Sequence, residues 1–87
     1  MSRTMEQVRK LVEELKTQRD ELRVKLNLAR ADARDEWDEL ERKWEHVRSR
    51  VESAGHEAGE AAHEVGEALG LVVDEIKKGY ERVRRAL

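Results

Sequence analysis

Apolar residues recur along almost the whole chain at alternating steps of three and four residues. The series begins at Met5 and Val8 and runs nearly to Leu87, with Arg19 as its one interruption. A strand would alternate apolar and polar residues at every second position. The observed spacing therefore predicts an α-helical seam of the coiled-coil type.

Three stutters in the spacing modify this prediction. Steps of four follow one another near Ala33, Ala58 and Ile76, and each such stutter locally unwinds a left-handed supercoil. We therefore expect nearly straight helices. At the N-terminal end, Thr4 and Gln7 have the spacing of a capping box, which predicts the start of a helix there.

The weakest helical stretch is residues 53–59, with the sequence SAGHEAG. Gly55 could end a helix in a left-handed conformation, and each glycine inside a helix costs about 1 kcal/mol relative to alanine. Small residues recur here at steps of four, which would allow a partner backbone to approach closely. The helix either continues through this stretch or breaks in it.

The distribution of charge favours antiparallel pairing of helices. Seven acidic residues and no Lys or Arg lie between Arg50 and Lys77, whereas the first 26 residues carry seven basic and five acidic residues. We therefore predict one all-α domain, residues 1–87, forming a long helical coiled coil that assembles as an antiparallel dimer or tetramer. The alternative is a helical hairpin or bundle with a break near residues 53–59.

The residues expected to form the self-association interface occupy the seam of this pattern. Trp37 and Trp44 could instead anchor a partner protein, but their phase with Leu40 favours the self-association core. Replacing Leu40 with Asp should then dissolve the oligomer, and the Tyr80 hydroxyl should reach solvent from the edge of the seam. The predicted interface comprises Met5, Val8, Val12, Leu15, Leu22, Leu26, Trp37, Leu40, Trp44, Val47, Val51, Val65, Leu69, Val72 and Ile76.

Composition and charge argue against several classes of function. The net charge of −2 and the lack of a basic patch with interleaved aromatic residues argue against nucleic-acid binding. Neither a phosphate-binding loop nor a triad of serine, histidine and acid is present, so we predict no enzyme activity and no cofactor. The first ten residues lack the apolar centre of a signal peptide, and no apolar run reaches the roughly 20 residues of a membrane span. A cytoplasmic location is the expectation.

Three side chains deserve separate consideration as metal ligands. His56, Glu60 and His63 share one helical face, and imidazole and carboxylate groups spaced four residues apart can share a divalent ion. The alternative is a solvated acidic stripe. Because the chain has no cysteine and no HExxH motif, we favour the stripe and predict no metal site.

A membrane or granule surface is the alternative partner. Residues 61–87 have an apolar face and a basic end, as helices that lie in a membrane interface do. The acidic residues between Glu52 and Glu75 would, however, be repelled by anionic lipid. Association with itself or with another helical protein is therefore the preferred prediction.

Three segments of the chain resemble a group of small bacterial coiled-coil proteins, some of them linked to stress responses. The segments are residues 20–37 (DELRVKLNLARADARDEW), 40–44 (LERKW) and 74–82 (DEIKKGYER). The resemblance implies a bacterial cytoplasmic origin and no catalytic residues. The predicted function is thus that of a structural or protein-interaction module.

Overall fold

Three α-helices form the computed structural model. Helix α1 spans Met5–Lys25 and continues into a 3-10 turn at Leu26–Leu28, α2 spans Ala31–Ala54, and α3 spans Glu60–Arg85. The structure describes residues 4–54 and 60–87, with the backbone alone for residues 54 and 60–62. Within these ranges the chain has no strand, and the predicted all-α fold is confirmed.

The start of α1 confirms the predicted capping box. The backbone N–H of Gln7 donates to Thr4 Oγ1 at 3.1 Å, and the backbone N–H of Thr4 donates to Gln7 Oε1 at 3.0 Å. Because the first N–H groups of a helix have no partner within the helix, this reciprocal pair satisfies one of them and holds the first turn.

The chain reverses direction after α1, and the prediction of one long helix is wrong at this point. Ala29 is extended, with φ −81° and ψ 152°, although neither glycine nor proline is present. The Arg34 guanidinium donates to the Asn27 carbonyl at 3.1 Å and satisfies a backbone group of the turn. Folding back allows the apolar stripe to be buried within one chain, which stabilises helices that would be marginal alone.

A second reversal brings α3 antiparallel to α2. Glu36 pairs with Arg82, and Lys43 pairs with Glu75 at 3.2 Å, so residue numbers rise along α2 as they fall along α3. The chain therefore folds back between Ala54 and Glu60, as in the alternative bundle with a break near residues 53–59. Residues 55–59 themselves lie outside the described part of the chain.

The bundle core contains every residue predicted for the self-association interface. Ten of the fifteen are buried, and Met5, Leu26, Val51, Val65 and Val72 are partly buried against them. Val73, Tyr80 and Val83 complete this core. The seam spacing therefore identified the core residues, and the structure shows these residues packed together within one chain.

Helix α3 contacts both other helices, and at Gly79 its backbone lies close to a side chain of α2. A Cβ atom at this position would lie 2.9 Å from Leu40 Cδ1 and still closer to Cδ2. A glycine here lets the Leu40 side chain lie directly against the α3 backbone. The principal extents are 44 × 22 × 17 Å. The longest is a third of the roughly 130 Å that one continuous helix of this chain would span.

Candidate interaction surfaces

A polar cluster lies among the three helices where Arg19 interrupts the seam. Arg19 Nε and Nη2 donate to Glu41 Oε1 and Oε2, each at 2.7 Å, forming a bidentate pair between α1 and α2. The Arg19 side chain is 16% exposed, and its guanidinium lies 5.7 Å from the centroid of the Trp44 ring. The hydrogen bond to Glu41 raises the pKa of Arg19. Arginine thus occupies a core position because Glu41 compensates its charge and Trp44 stacks on it.

Tyr80 lies beside this cluster, and the expectation that its hydroxyl reaches solvent is wrong. Its ring stacks on Trp37 with centroids 5.6 Å apart, and the residue is 1% exposed. The buried hydroxyl has no hydrogen-bond partner among the described residues. Burial raises the pKa of Tyr80 well above its ordinary value, Glu41 raises it further, and Arg19 lowers it. The seam has no solvent edge here because α1 and α2 both cover α3.

We expect Tyr80→Phe to stabilise the protein by roughly 1 kcal/mol, because a buried hydroxyl without a partner costs free energy. The tyrosine should also make stability fall above about pH 10, where the unfolded chain ionises while the native state keeps its proton. Urea unfolding of both proteins at neutral pH and above pH 10 measures these effects. Equal losses of stability with pH in the two proteins would contradict the assignment of Tyr80 as a buried tyrosine that keeps its proton in the native state.

A groove of about 370 Å³ runs between α1 and α2 over Arg19 and Trp44. Its other charged residues are Glu13, Lys16, Glu45, Arg48 and Glu52, so basic and acidic side chains are equal in number. Arg48 lies 3.0 Å from Glu45 and 3.3 Å from Glu52. Because its positive and negative charges are equal in number, this groove has no electrostatic preference for a cationic or an anionic ligand.

The opposite side of α2 forms a second groove with α3, of about 430 Å³. Its apolar wall comes from α3, and its α2 rim is formed by His46 and Arg50. Leu71, which precedes Val72 in α3, is 69% exposed and does not itself line the groove. No salt bridge joins Arg50 to a carboxylate among the described residues. We call this surface the α2–α3 face; it comprises His46, Arg50, Glu64, Val65, Glu67, Ala68, Leu71 and Val72.

A third surface is the end of the bundle where α1 turns into α2. Val24 in the last turn of α1 is 79% exposed, and Leu28 in the 3-10 turn is 77% exposed. Leu87, just beyond α3, is 39% exposed. With Leu71, these are the large hydrophobic residues that the structure shows exposed. Val24, Leu28 and Leu71 lie outside the heptad series, whereas Leu87 stands at its end.

The structure describes only one of the three side chains considered as metal ligands. His63 Nε2 lies 3.8 Å from Glu67 Oε1, while His56 and the Glu60 side chain lie outside the described residues. Nowhere in the described ranges do three potential ligands converge on one point. In the same ranges, none of the helices combines the length and apolarity required to cross a membrane.

Three of the exposed apolar residues can be recognised in the sequence because they do not belong to the heptad seam. Val24, Leu28 and Leu71 are large aliphatic residues out of phase with the heptad positions. A helix with one buried stripe leaves such residues on its outer side, where they are candidates for contact with another molecule. Comparison of the chain with models of protein families, with characterised proteins and with solved structures found no match.

Proposed function

We propose that this protein is a non-enzymatic helical module that works by self-association through the α2–α3 face. The observation that supports the proposal is Leu71, which is 69% exposed and precedes Val72, a residue of the groove between α2 and α3. Burying a leucine side chain contributes about 1.5–3 kcal/mol of favourable free energy, so burial of Leu71 between two copies favours their association. The partner is a second copy of this chain.

Charge on the two edges of this face supports a second copy as the partner. The α2 edge carries His46 and Arg50, and the α3 edge carries Glu64 and Glu67. A two-fold axis near Leu71 would place the acidic edge of each copy over the basic edge of the other. A surface that carries both halves of a contact is what a symmetric dimer requires.

This proposal differs from assembly through the heptad seam. The fifteen seam residues lie in or against the core of a single chain, so they are engaged before any second copy arrives. Association through the outer face keeps each three-helix bundle intact. It would produce a layer of four helices, α2 and α3 from each copy, with α1 outside.

Replacing Leu71 with Asp should convert the protein from dimer to monomer, because the change places a charge at the centre of the contact. Light scattering coupled to gel filtration should give about twice 10.2 kDa for the wild-type chain and 10.2 kDa for the variant. Leu28→Asp is the matched control, since Leu28 is equally exposed but far from the α2–α3 face. A wild-type protein of 10.2 kDa at high concentration would refute the proposal.

Complementary charge variants test the proposed geometry. His46→Glu with Arg50→Glu makes both edges of the face acidic, and Glu64→Lys with Glu67→Lys makes both basic. Neither double variant should dimerise alone, but an equimolar mixture should form a heterodimer, because each contact then joins opposite charges. Failure of the mixture to associate would contradict the two-fold arrangement even if Leu71→Asp is monomeric.

A further inference from the structure

The end of the bundle that carries Val24, Leu28 and Leu87 is also its basic end. Glu36 pairs with Arg82 and Trp37 stacks on Tyr80, so the last turns of α3 lie beside the first turns of α2. The last turn of α1 leads into the same region. We call this end, residues 20–36 and 77–87, the basic tip.

Charge is segregated along the bundle. The basic tip carries nine basic and six acidic residues, although the whole chain has a net charge of −2. Seven exposed cations of the tip form no salt bridge among the described residues, and four of the seven lie in the last turn of α1 or α3. The seven are Arg23, Lys25, Arg30, Lys77, Lys78, Arg84 and Arg85.

We propose that the basic tip docks the folded bundle on an anionic lipid surface. The exposed aliphatic side chains enter the interfacial layer, and the surrounding cations meet lipid phosphates and carboxylates. The exposed aliphatic residues of the tip are isolated from one another in sequence, and no tip residue lines either groove. A fluid lipid surface suits that arrangement, whereas a peptide would require a groove with an apolar wall.

The fold also weakens the electrostatic objection to lipid binding. Glu64 and Glu67 lie near the other end of α3, and the 20 residues from Glu64 to Arg84 span about 30 Å of helix. This distance exceeds the screening length of about 8–10 Å in physiological salt, so repulsion of these carboxylates is weak at the tip. The apolar face of α3 stays in the core, which means that docking leaves the bundle folded.

Sedimentation with lipid vesicles tests the proposal. The protein should bind vesicles of phosphatidylcholine containing one third phosphatidylserine, and it should not bind phosphatidylcholine alone. Raising the salt concentration should release it. Arg84→Glu with Arg85→Glu should weaken binding by at least about 20-fold, because each cation near the surface contributes about fivefold. Leu28→Asp should weaken it by roughly tenfold.

Arg9→Glu with Lys10→Glu is the matched control for the arginine pair, because it makes the same change of charge at two exposed residues near the start of α1, at the other end of the bundle. It should bind vesicles nearly as the wild type does. Circular dichroism of the bound protein should show unchanged helix content, and thermal unfolding without lipid should confirm that every variant folds. Equal binding to both kinds of vesicle, or an equal loss in Arg9→Glu with Lys10→Glu, would overturn the assignment of lipid binding to the basic tip. Single-stranded RNA that displaces the vesicles at the same salt concentration would also overturn it.

Discussion

Replacing Leu40 with Asp is expected to leave the chain largely unfolded rather than merely dissociated. Leu40 is 2% exposed, and its side chain lies against the α3 backbone at Gly79. Losing a buried leucine costs about 2–5 kcal/mol, and a carboxylate in the same place has to be buried without a partner. A domain of this size has a total stability of only about 5–10 kcal/mol, so the loss is comparable with the whole.

Circular dichroism and urea unfolding measure this effect. Leu71→Asp makes the same chemical change on the exposed side of α3 and should retain the helical signal and a cooperative transition. The comparison also separates two models of the seam. If Leu40 lay in an interface between long helices, its variant would be a helical monomer; within a bundle, the variant loses its helices. A helical, cooperatively unfolding Leu40→Asp protein would contradict the three-helix fold.

Heptad spacing predicted the core of this protein well, because the spacing reports which side of a helix is buried. Every residue assigned from sequence to the self-association interface lies in or against the core. Near Val72 the assignment was inexact, since the adjacent Val73 is 1% exposed while Val72 is only partly buried. Helix α3 contacts two helices, so its buried stripe is wider than the single line of a two-stranded coiled coil.

The spacing could not show whether the seam joins two chains or one chain with itself. A stripe of apolar residues can be buried equally well in either arrangement, and only the reversals of the chain decide between the two. The first reversal occurs at residues 26–30 without glycine or proline, so composition did not mark it. The nearby stutter at Ala33 was interpreted as local unwinding of a continuous helix.

The candidate surfaces were visible in the sequence only as departures from the pattern. Leu71 and Leu28 are out of phase with the seam, but periodicity does not reveal which charges lie near them in space. Arg50 and Glu64 border the same groove because α2 and α3 are antiparallel. Arg19 could be recognised as an interruption, yet its partner Glu41 is 22 residues away and on another helix.

The bidentate Arg19–Glu41 pair lies at a seam position where an aliphatic residue would be expected. Buried ion pairs often add little net stability, because desolvation of the two charges offsets their attraction. Removing one partner is different, since the remaining charge stays partly buried and loses its counter-charge. The pair joins only one position on α1 to one on α2, so it favours this alignment of the two helices over others.

We therefore expect Glu41→Leu to destabilise the protein by about 2–3 kcal/mol, because Arg19 is 16% exposed beneath Trp44 and would lose its counter-charge. The double variant Arg19→Leu with Glu41→Leu should recover most of this loss. A double-mutant cycle in urea gives the coupling, and the exposed pair Glu45 and Arg48 should show no measurable coupling.

Near-ultraviolet circular dichroism of Trp37 and Trp44 then tests whether the pair aligns the helices. If it does, the double variant should be stable but show a weaker signal from the tryptophans, because α1 can pack against α2 in more than one register. Strictly additive effects of the two substitutions, with an undiminished tryptophan signal, would show that the ion pair neither stabilises nor aligns the bundle. Arg19 would then be an interruption of the seam that the fold tolerates through its contact with Trp44 alone.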